Sequence, residues 1–199
     1  MLPWEHHPAF KRERLVAVAE LIAEGRNAAL DRRDPSIGCD AWTVGCEAFA
    51  FQRFRIKDAA DRLDWLEIVD PSMQFVFGIG GLPCRFYRGE PNEPTERTLE
   101  QSFPELRQFS LFGDEELKRL GQKPGYRFAV ETDFDGSIVQ ISFVVLSGSL
   151  PVLIWAIPLD TVGSKIASLW SEQEQGIELP PPPVGLPKRD TKRTSANDD

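Results

Sequence analysis

The chain of 199 residues has few of the residue types that build disulfide frameworks and metal centres. Its three cysteines are odd in number, and a chain of this length does not need cross-links to hold a core. Adjacent His6 and His7 match no zinc-finger or zinc-ribbon spacing with Cys39 and Cys46. We therefore expect no disulfide, no metal and no cofactor, and a reducing cytoplasmic location.

The sequence also lacks a hydrophobic leader and a typical membrane span. Its start, MLPWEHHPAFKRER, has no apolar run of the length that a signal peptide requires. The uncharged stretch 136–159 could cross a bilayer as a helix, but it contains Gln140, the sequence SGS and two prolines. Because its first half also fits a strand, we expect neither secretion nor membrane insertion.

Positive charge is scarce, with 23 Lys and Arg against 31 Asp and Glu, a net charge of −8. Such a balance repels a phosphate backbone, so nucleic acid is a disfavoured partner. Much of the excess lies in an acidic strip at residues 90–105, which is either a solvated face or a contact for a basic protein. A nucleic-acid face would have to use the only dense basic group, Arg53, Arg55, Lys57 and Arg62.

What the sequence does have is apolar bulk, at 41% of residues with 13 Phe and 5 Trp. This is enough for one self-sufficient core with a strongly aromatic character. We expect a single α+β domain over residues 1–175. Residues 176–199 contain four consecutive prolines and then polar residues, which predicts a Pro-rich, disordered tail.

Helical periodicity appears at both ends of the predicted domain. Residues 10–31 carry an apolar stripe that predicts an amphipathic N-terminal helix, although Gly25 weakens it. The stripe consists of Leu15, Val18, Ala19, Ile22, Arg26 and Ala29. Residues 159–174 predict a C-terminal helix with Asp160 as its N-cap. Between them, EAFAFQRFRI (47–56) and WLEIV (65–69) read as strands because of their aromatic and β-branched content.

The glycine-rich stretch GIGGLPCRFYRG (78–89) reads as a β-hairpin that turns at Gly80 and Gly81. This register sets Ile79 opposite Leu82, Phe77 opposite Cys84 and Phe75 opposite Phe86, so every pair on one face is apolar. A phosphate-binding loop is the alternative, but it needs a helix directly after the glycines, and LPCRFYRG is not a helix start.

A second hairpin is indicated by the Asp135-Gly136 dipeptide, the strongest short turn signal in the chain. Its predicted apolar pairs are Thr132 with Val139, Val130 with Ile141, Phe128 with Phe143 and Tyr126 with Val145. The next segment, PVLIWAIPL (151–159), is apolar on both faces and is expected to be central or covered on both sides. Together these elements predict an α+β fold with a mainly antiparallel sheet of about five to six strands.

The best recognition cluster is Arg85, Tyr87 and Arg88, with Glu90 and Glu93 directly downstream. Guanidinium groups and a phenol suit a carboxylate or phosphate, and Arg and Tyr are favoured interface anchors. The alternative is an internal ion pair between these arginines and the acidic strip. No catalytic residue stands out, so we expect a non-catalytic protein-binding or accessory subunit of a cytoplasmic complex, for example an inhibitor or immunity-type protein.

The enzyme alternative rests on Glu131, Asp133 and Asp135, which could hold a divalent ion in a phosphoester or nucleotide hydrolase. The DxDG string also resembles the start of a calcium loop, but Val144 stands where such a loop has its last acidic ligand. Asp135 has a turn to form, and the other two carboxylates fall on the polar face of the hairpin.

Overall fold

The computed structural model describes residues 1–109 and 124–159, which form an α+β fold with one six-stranded sheet. The helices are α1 Pro3–His6, α2 Arg12–Asp31, α3 Ala41–Ala60, α4 Glu96–Leu99 and α5 Phe103–Phe109, with a 3-10 turn at Pro35–Ile37. The strands are β1 Leu66–Asp70, β2 Val76–Ile79, β3 Leu82–Arg88, β4 Gly125–Thr132, β5 Ile138–Ser147 and β6 Leu150–Ala156. Nearly all of the predicted C-terminal helix and the whole Pro-rich tail lie outside the described residues. In the part of the chain that is described, no helix combines the length and the apolar character needed to traverse a bilayer.

The strands follow chain order across the sheet, from β1 to β6. Strands β1–β3 and β4–β6 are each antiparallel, and β3 pairs with β4 in parallel, with Cys84 opposite Tyr126. The expectation of a mainly antiparallel sheet of six strands is confirmed, but the parallel pair was not predicted. It arises because a crossover containing α4 and α5, rather than a tight turn, connects β3 to β4.

The diglycine hairpin is confirmed as the β2–β3 connection. Gly80 and Gly81 have φ values of 56° and 86°, the left-handed geometry that a two-residue hairpin turn needs at both positions. The strand pairs include Ile79 with Leu82 and Phe77 with Cys84, as expected. Phe75 precedes the strand, so its predicted pairing with Phe86 is replaced by an edge-to-face ring contact at 6.1 Å.

The Asp135-Gly136 hairpin is the β4–β5 connection, and three of its four predicted pairs are present. Thr132, however, lies opposite Ile138 instead of Val139. The loop is longer than two residues, because Asp133 N–H donates to the Ser137 carbonyl and Gly136 N–H donates to the Asp133 carbonyl. The extra residues shift the register at the end of the strand pair.

The predicted strand at 47–56 is wrong, since these residues belong to α3. The Asp40 carboxylate accepts from Thr43 N–H at 2.9 Å and caps the helix. Its buried stripe then recurs at helical intervals and consists of Val44, Ala48, Gln52, Ile56 and Ala59. The aromatic residues favour a strand by their local propensity. The helix forms instead because it buries this stripe against the rest of the core.

β6 is also placed differently from the expectation. It is the last strand of the described sheet, and Leu150, Val152 and Ile154 on one of its faces are exposed. Its other face contributes Leu153 to the main core. A continuous apolar run therefore does not mean a central strand here.

The two faces of the sheet are covered unequally. Helices α2 and α3 pack against each other, and both contribute to the large aromatic core on one face, which we call the inner face. On the opposite, outer face a small core of Ala129, Val144 and Leu146 packs with Tyr87 and Leu99. The crossover thus encloses part of a face that the sequence indicated as polar surface.

Candidate binding site

The predicted recognition cluster lies on β3, at the middle of the sheet. Arg85 and Tyr87 point to the outer face, as alternation predicts, and the three residues Arg85, Tyr87 and Arg88 line one cavity of about 250 Å³. Glu90 and Glu93 are exposed in the loop after β3 and do not line this cavity. The backbone carbonyl of Glu90 accepts a hydrogen bond from the Tyr87 hydroxyl at 3.0 Å.

The internal ion pair weighed for Arg85 is confirmed. Arg85 Nη1 lies 3.4 Å from Glu105 Oε2 and donates to the Glu100 carbonyl at 3.3 Å, so it pairs with the acidic strip. The Arg85 side chain retains 17% of its exposure, while the carboxylate has none. Arg85 is therefore a half-buried cation at the edge of the cavity.

Sequence reasoning missed the most buried charge of the site, Arg127 on β4. This residue is 1% exposed, and its Nη1 lies 2.5 Å from Glu105 Oε1. Its Nε also donates to the Thr98 carbonyl at 3.0 Å. Burial lowers the pKa of the Arg127 guanidinium, and the Glu105 carboxylate opposes that shift. Arg127 lies on the outer face of the sheet, where residues of the crossover cover it.

Glu105 is held in place by the start of α5. Ser102 N–H and Oγ–H both donate to Glu105 Oε2, at 2.8 and 3.0 Å, three residues apart in the chain. This is half of a capping box, which the sequence SFPE (102–105) contains and which was the available signal for this helix start. The same carboxylate that begins the helix thus serves two arginines from the sheet.

One nitrogen of Arg127 is not satisfied. Nη2 is buried and has no hydrogen-bond partner anywhere in the described ranges. A buried donor left without an acceptor costs about 1–3 kcal/mol, so such a group needs a reason to be there. Arg127 lines the 250 Å³ cavity together with Thr95 and Thr98, whose hydroxyl oxygens are 3.1 Å apart.

A second concavity, a groove of about 390 Å³, shares part of this wall. Its rim carries Trp42 and Met73, which are 75% and 71% exposed, and its lining includes Arg26 and Arg88. Arg26 Nε donates to the Gly136 carbonyl at 2.7 Å. Burial lowers the pKa of Arg26, the nearby charge of Arg88 lowers it further, and Asp135 opposes both. The groove is therefore apolar with a local excess of positive charge.

The carboxylates of the hydrolase hypothesis serve the β4–β5 hairpin. Asp135 accepts from Ser137 N–H at 2.8 Å and from its hydroxyl at 3.0 Å, which lowers the Asp135 pKa. Asp133 accepts from Phe134 N–H, while burial and the charge of Glu90 raise the pKa of Glu131. Within 1–109 and 124–159, no three His, Cys, Asp or Glu side chains are grouped to hold a metal ion. The hydrolase hypothesis gains no support from this geometry.

The remaining candidate ligands and nucleophiles are dispersed. His6 packs its ring against Tyr126, with centroids 5.9 Å apart, and burial followed by the charge of His7 lowers the His6 pKa. The three cysteines are free thiols, and burial raises the pKa of Cys84 well above its ordinary range. A buried neutral thiol is a poor nucleophile.

The basic group considered for nucleic acid lies on and just after α3 rather than on a strand. Arg53 stacks over Phe49 and Phe75 and donates to the Pro71 carbonyl. Arg55 and Arg62 pair with Glu24 at 3.7 Å and Asp58 at 2.5 Å. Three of the four charges are thus engaged by neighbours within the chain.

Comparison of this chain with protein-family models, with curated proteins and with solved structures finds no match. Any function must therefore be argued from the arrangement of the side chains themselves.

Proposed function

We propose that this chain is a non-catalytic binding protein that captures a partner protein in the 390 Å³ groove between α3 and the end of β3. The observation that carries the proposal is the exposure of Trp42 and Met73 at the rim of this groove. Large exposed side chains around a concave surface are typical of interaction sites, and Trp, Met and Arg are enriched in interfaces.

The charge of the groove indicates what the partner presents. Arg26 and Arg88 lie together in its wall, and Arg88 forms no ion pair with any of the described residues. The whole chain is acidic, so this positive site is local. A partner segment with an apolar side chain next to a carboxylate complements both properties. An inhibitor or accessory subunit would contact its target in this way.

The test is affinity purification from the native host, followed by calorimetry with each purified candidate partner. Trp42→Ala and Arg88→Ala are expected to weaken the true partner by about tenfold or more. Phe54→Ala and Arg62→Ala are matched controls, because both residues are exposed and neither lines the groove. A partner that binds all four variants with wild-type affinity would overturn the proposal.

A further inference from the structure

The 250 Å³ cavity is lined by residues that the partner groove does not use. Arg127, Arg85, Thr95 and Thr98 line this cavity but not the groove. They come from two central strands and from the turn that begins the crossover. The cavity therefore has a polar wall of its own, and it adjoins the groove through shared residues, namely Phe49, Met73, Phe86, Tyr87 and Arg88.

Positive charge exceeds negative charge at this site. Arg85 and Arg127 share one carboxylate, that of Glu105. Both of its oxygens are already engaged, Oε1 by Arg127 and Oε2 by Arg85 and Ser102. Arg88, which forms no ion pair with the described residues, lines the cavity as well, so positive charge is left over there, which matches an anionic ligand.

Arg85 and Arg88 provide the donors that such an anion can reach. The Arg85 side chain is 17% exposed and Arg88 is exposed, whereas the unsatisfied Nη2 of Arg127 has no accessible surface. A guanidinium presents its N–H groups as a planar fork that fits the two oxygens of a carboxylate. The paired hydroxyls of Thr95 and Thr98 add further donors on the same wall.

The other wall of the cavity is apolar and aromatic, with Phe49, Phe75 and Phe86. A ligand with an apolar body would pack against these rings, whereas inorganic phosphate would leave them without a contact. The volume is at the small end for ligand sites, which limits the body to about one ring or a short alkyl chain.

From these features we infer that the cavity binds a small monocarboxylate with an aromatic or short aliphatic body. Its carboxylate accepts hydrogen bonds from Arg85, and its body lies against the phenylalanine rings. The site shares Arg88 and Met73 with the groove of the proposed protein partner, but its test uses no partner.

The first experiment is calorimetric titration of the full chain with 3-phenylpropionate and with its neutral counterpart, 3-phenylpropanamide. The acid is expected to bind at least about tenfold more tightly, because the amide cannot neutralise the excess positive charge of the cavity. Equal affinity for the two, or no heat with the acid, would overturn the inference.

Two further ligands test the ligand class. Phenyl phosphate carries the same ring on a dianion, and acetyl-Ala-Phe carries a carboxylate at a peptide C terminus. Both are expected to bind more weakly than 3-phenylpropionate. Tighter binding of the phosphate would overturn the carboxylate assignment, and tighter binding of the peptide would overturn the assignment to a free small molecule.

Variants connect the binding to the cavity without disturbing the buried pair. Arg85→Gln removes one positive charge and Thr95→Val removes a hydroxyl, and each is expected to weaken 3-phenylpropionate by about five- to tenfold. Arg62→Gln, an exposed arginine away from the cavity, is expected to leave the affinity unchanged. Wild-type affinity in both Arg85→Gln and Thr95→Val would show that the acid binds elsewhere.

Discussion

Glu105 is the residue on which the buried charges of this protein depend. It has no exposed surface, and it accepts from Arg127, Arg85 and Ser102 at once. Two guanidinium groups from adjacent strands and the start of α5 therefore share one carboxylate. Removing this carboxylate would leave the buried Arg127 charge without compensation.

Substituting Glu105 with Gln is expected to lower the free energy of unfolding by about 3–5 kcal/mol, because it strands the Arg127 charge in the interior. Urea denaturation at pH 7 measures the change. Asp58→Asn is the control, since the Asp58–Arg62 pair is exposed and such pairs contribute about 0–1 kcal/mol. A loss for Glu105→Gln no larger than that of the control would mean that the buried pair does not stabilise the fold.

At the scale of elements, α2 and α3 approach each other closely at Gly25. A Cβ atom there would lie 2.6 Å from Gln52 N and 2.7 Å from Gln52 Cα, both backbone atoms. The Gln52 side chain also donates to the Ile22 carbonyl of the other helix at 3.1 Å. Gly25 weakened the helix prediction, and the structure explains its presence by the helix crossing.

Gly25→Ala is accordingly expected to destabilise the protein by about 1–3 kcal/mol, even though Ala favours a helix over Gly by about 1 kcal/mol. Gly45 on α3 is the matched control, because a Cβ there meets nothing within 4 Å. Gly45→Ala should stabilise the protein by up to about 1 kcal/mol. Thermal unfolding measures whether each variant is more or less stable than the wild type. A stabilising Gly25→Ala would contradict the close packing of the two helices.

The cap of α3 predicts a pH dependence. Hydrogen bonds from Thr43 N–H and its hydroxyl lower the pKa of Asp40 below its usual 3.8. Because the folded pKa is depressed, this contribution is fully present above pH 3.8 and is lost as the pH falls through the lower folded value.

Asp40→Ala should therefore lower the Tm by about 2–4 °C at pH 7, and the gap to the wild type should narrow as the pH falls below 3.8. Asp40→Asn keeps a capping oxygen that does not titrate, so it should retain most of the stability at both pH values. Thermal scans across this range check the prediction, and a gap that stays constant with pH would contradict it.

At the scale of the whole molecule, the two hairpins were predictable, but the parallel pairing that joins strands β1–β3 to strands β4–β6 was not. Both hairpins follow from turn residues next to each other in the chain, Gly80-Gly81 and Asp135-Gly136. The burial of Arg127 depends on Glu105, 22 positions earlier, and on a crossover that covers the outer face. The alternation of polar and apolar residues along β4 does not show that a distant segment of the chain will cover Arg127.

The contrast between local signals and long-range contacts also limited the prediction of the site. Arg85, Tyr87 and Arg88 could be found because Arg and Tyr stand out on a strand, and the three residues line one cavity. Trp42 and Met73 went unnoticed. The exposure of Trp42 follows from its place in the first turn of α3, a helix that was not predicted, and Met73 lies in the loop between β1 and β2.

The covered centre of the sheet predicts the order of hydrogen exchange. Amides of β4 and β5, which are paired on both sides, should exchange slowest, and those of β1 and β6, which have one strand neighbour each in the described sheet, should exchange faster. Exchange followed by mass spectrometry on peptides from each strand tests this order. Protection of β6 equal to that of β5 would show that its outer side is paired in solution.

The parallel pairing of β3 with β4 has a further consequence. It is the only strand pairing between two sequence-contiguous halves of the described sheet, and the carboxylate that neutralises Arg127 belongs to the other half. If the chain were cleaved between residues 109 and 124, Glu105 and Arg127 would lie on different fragments, and each fragment would keep one strand of the β3–β4 pair. Co-expressed, the two pieces would act as a complementing pair, each selecting the other over a copy of itself.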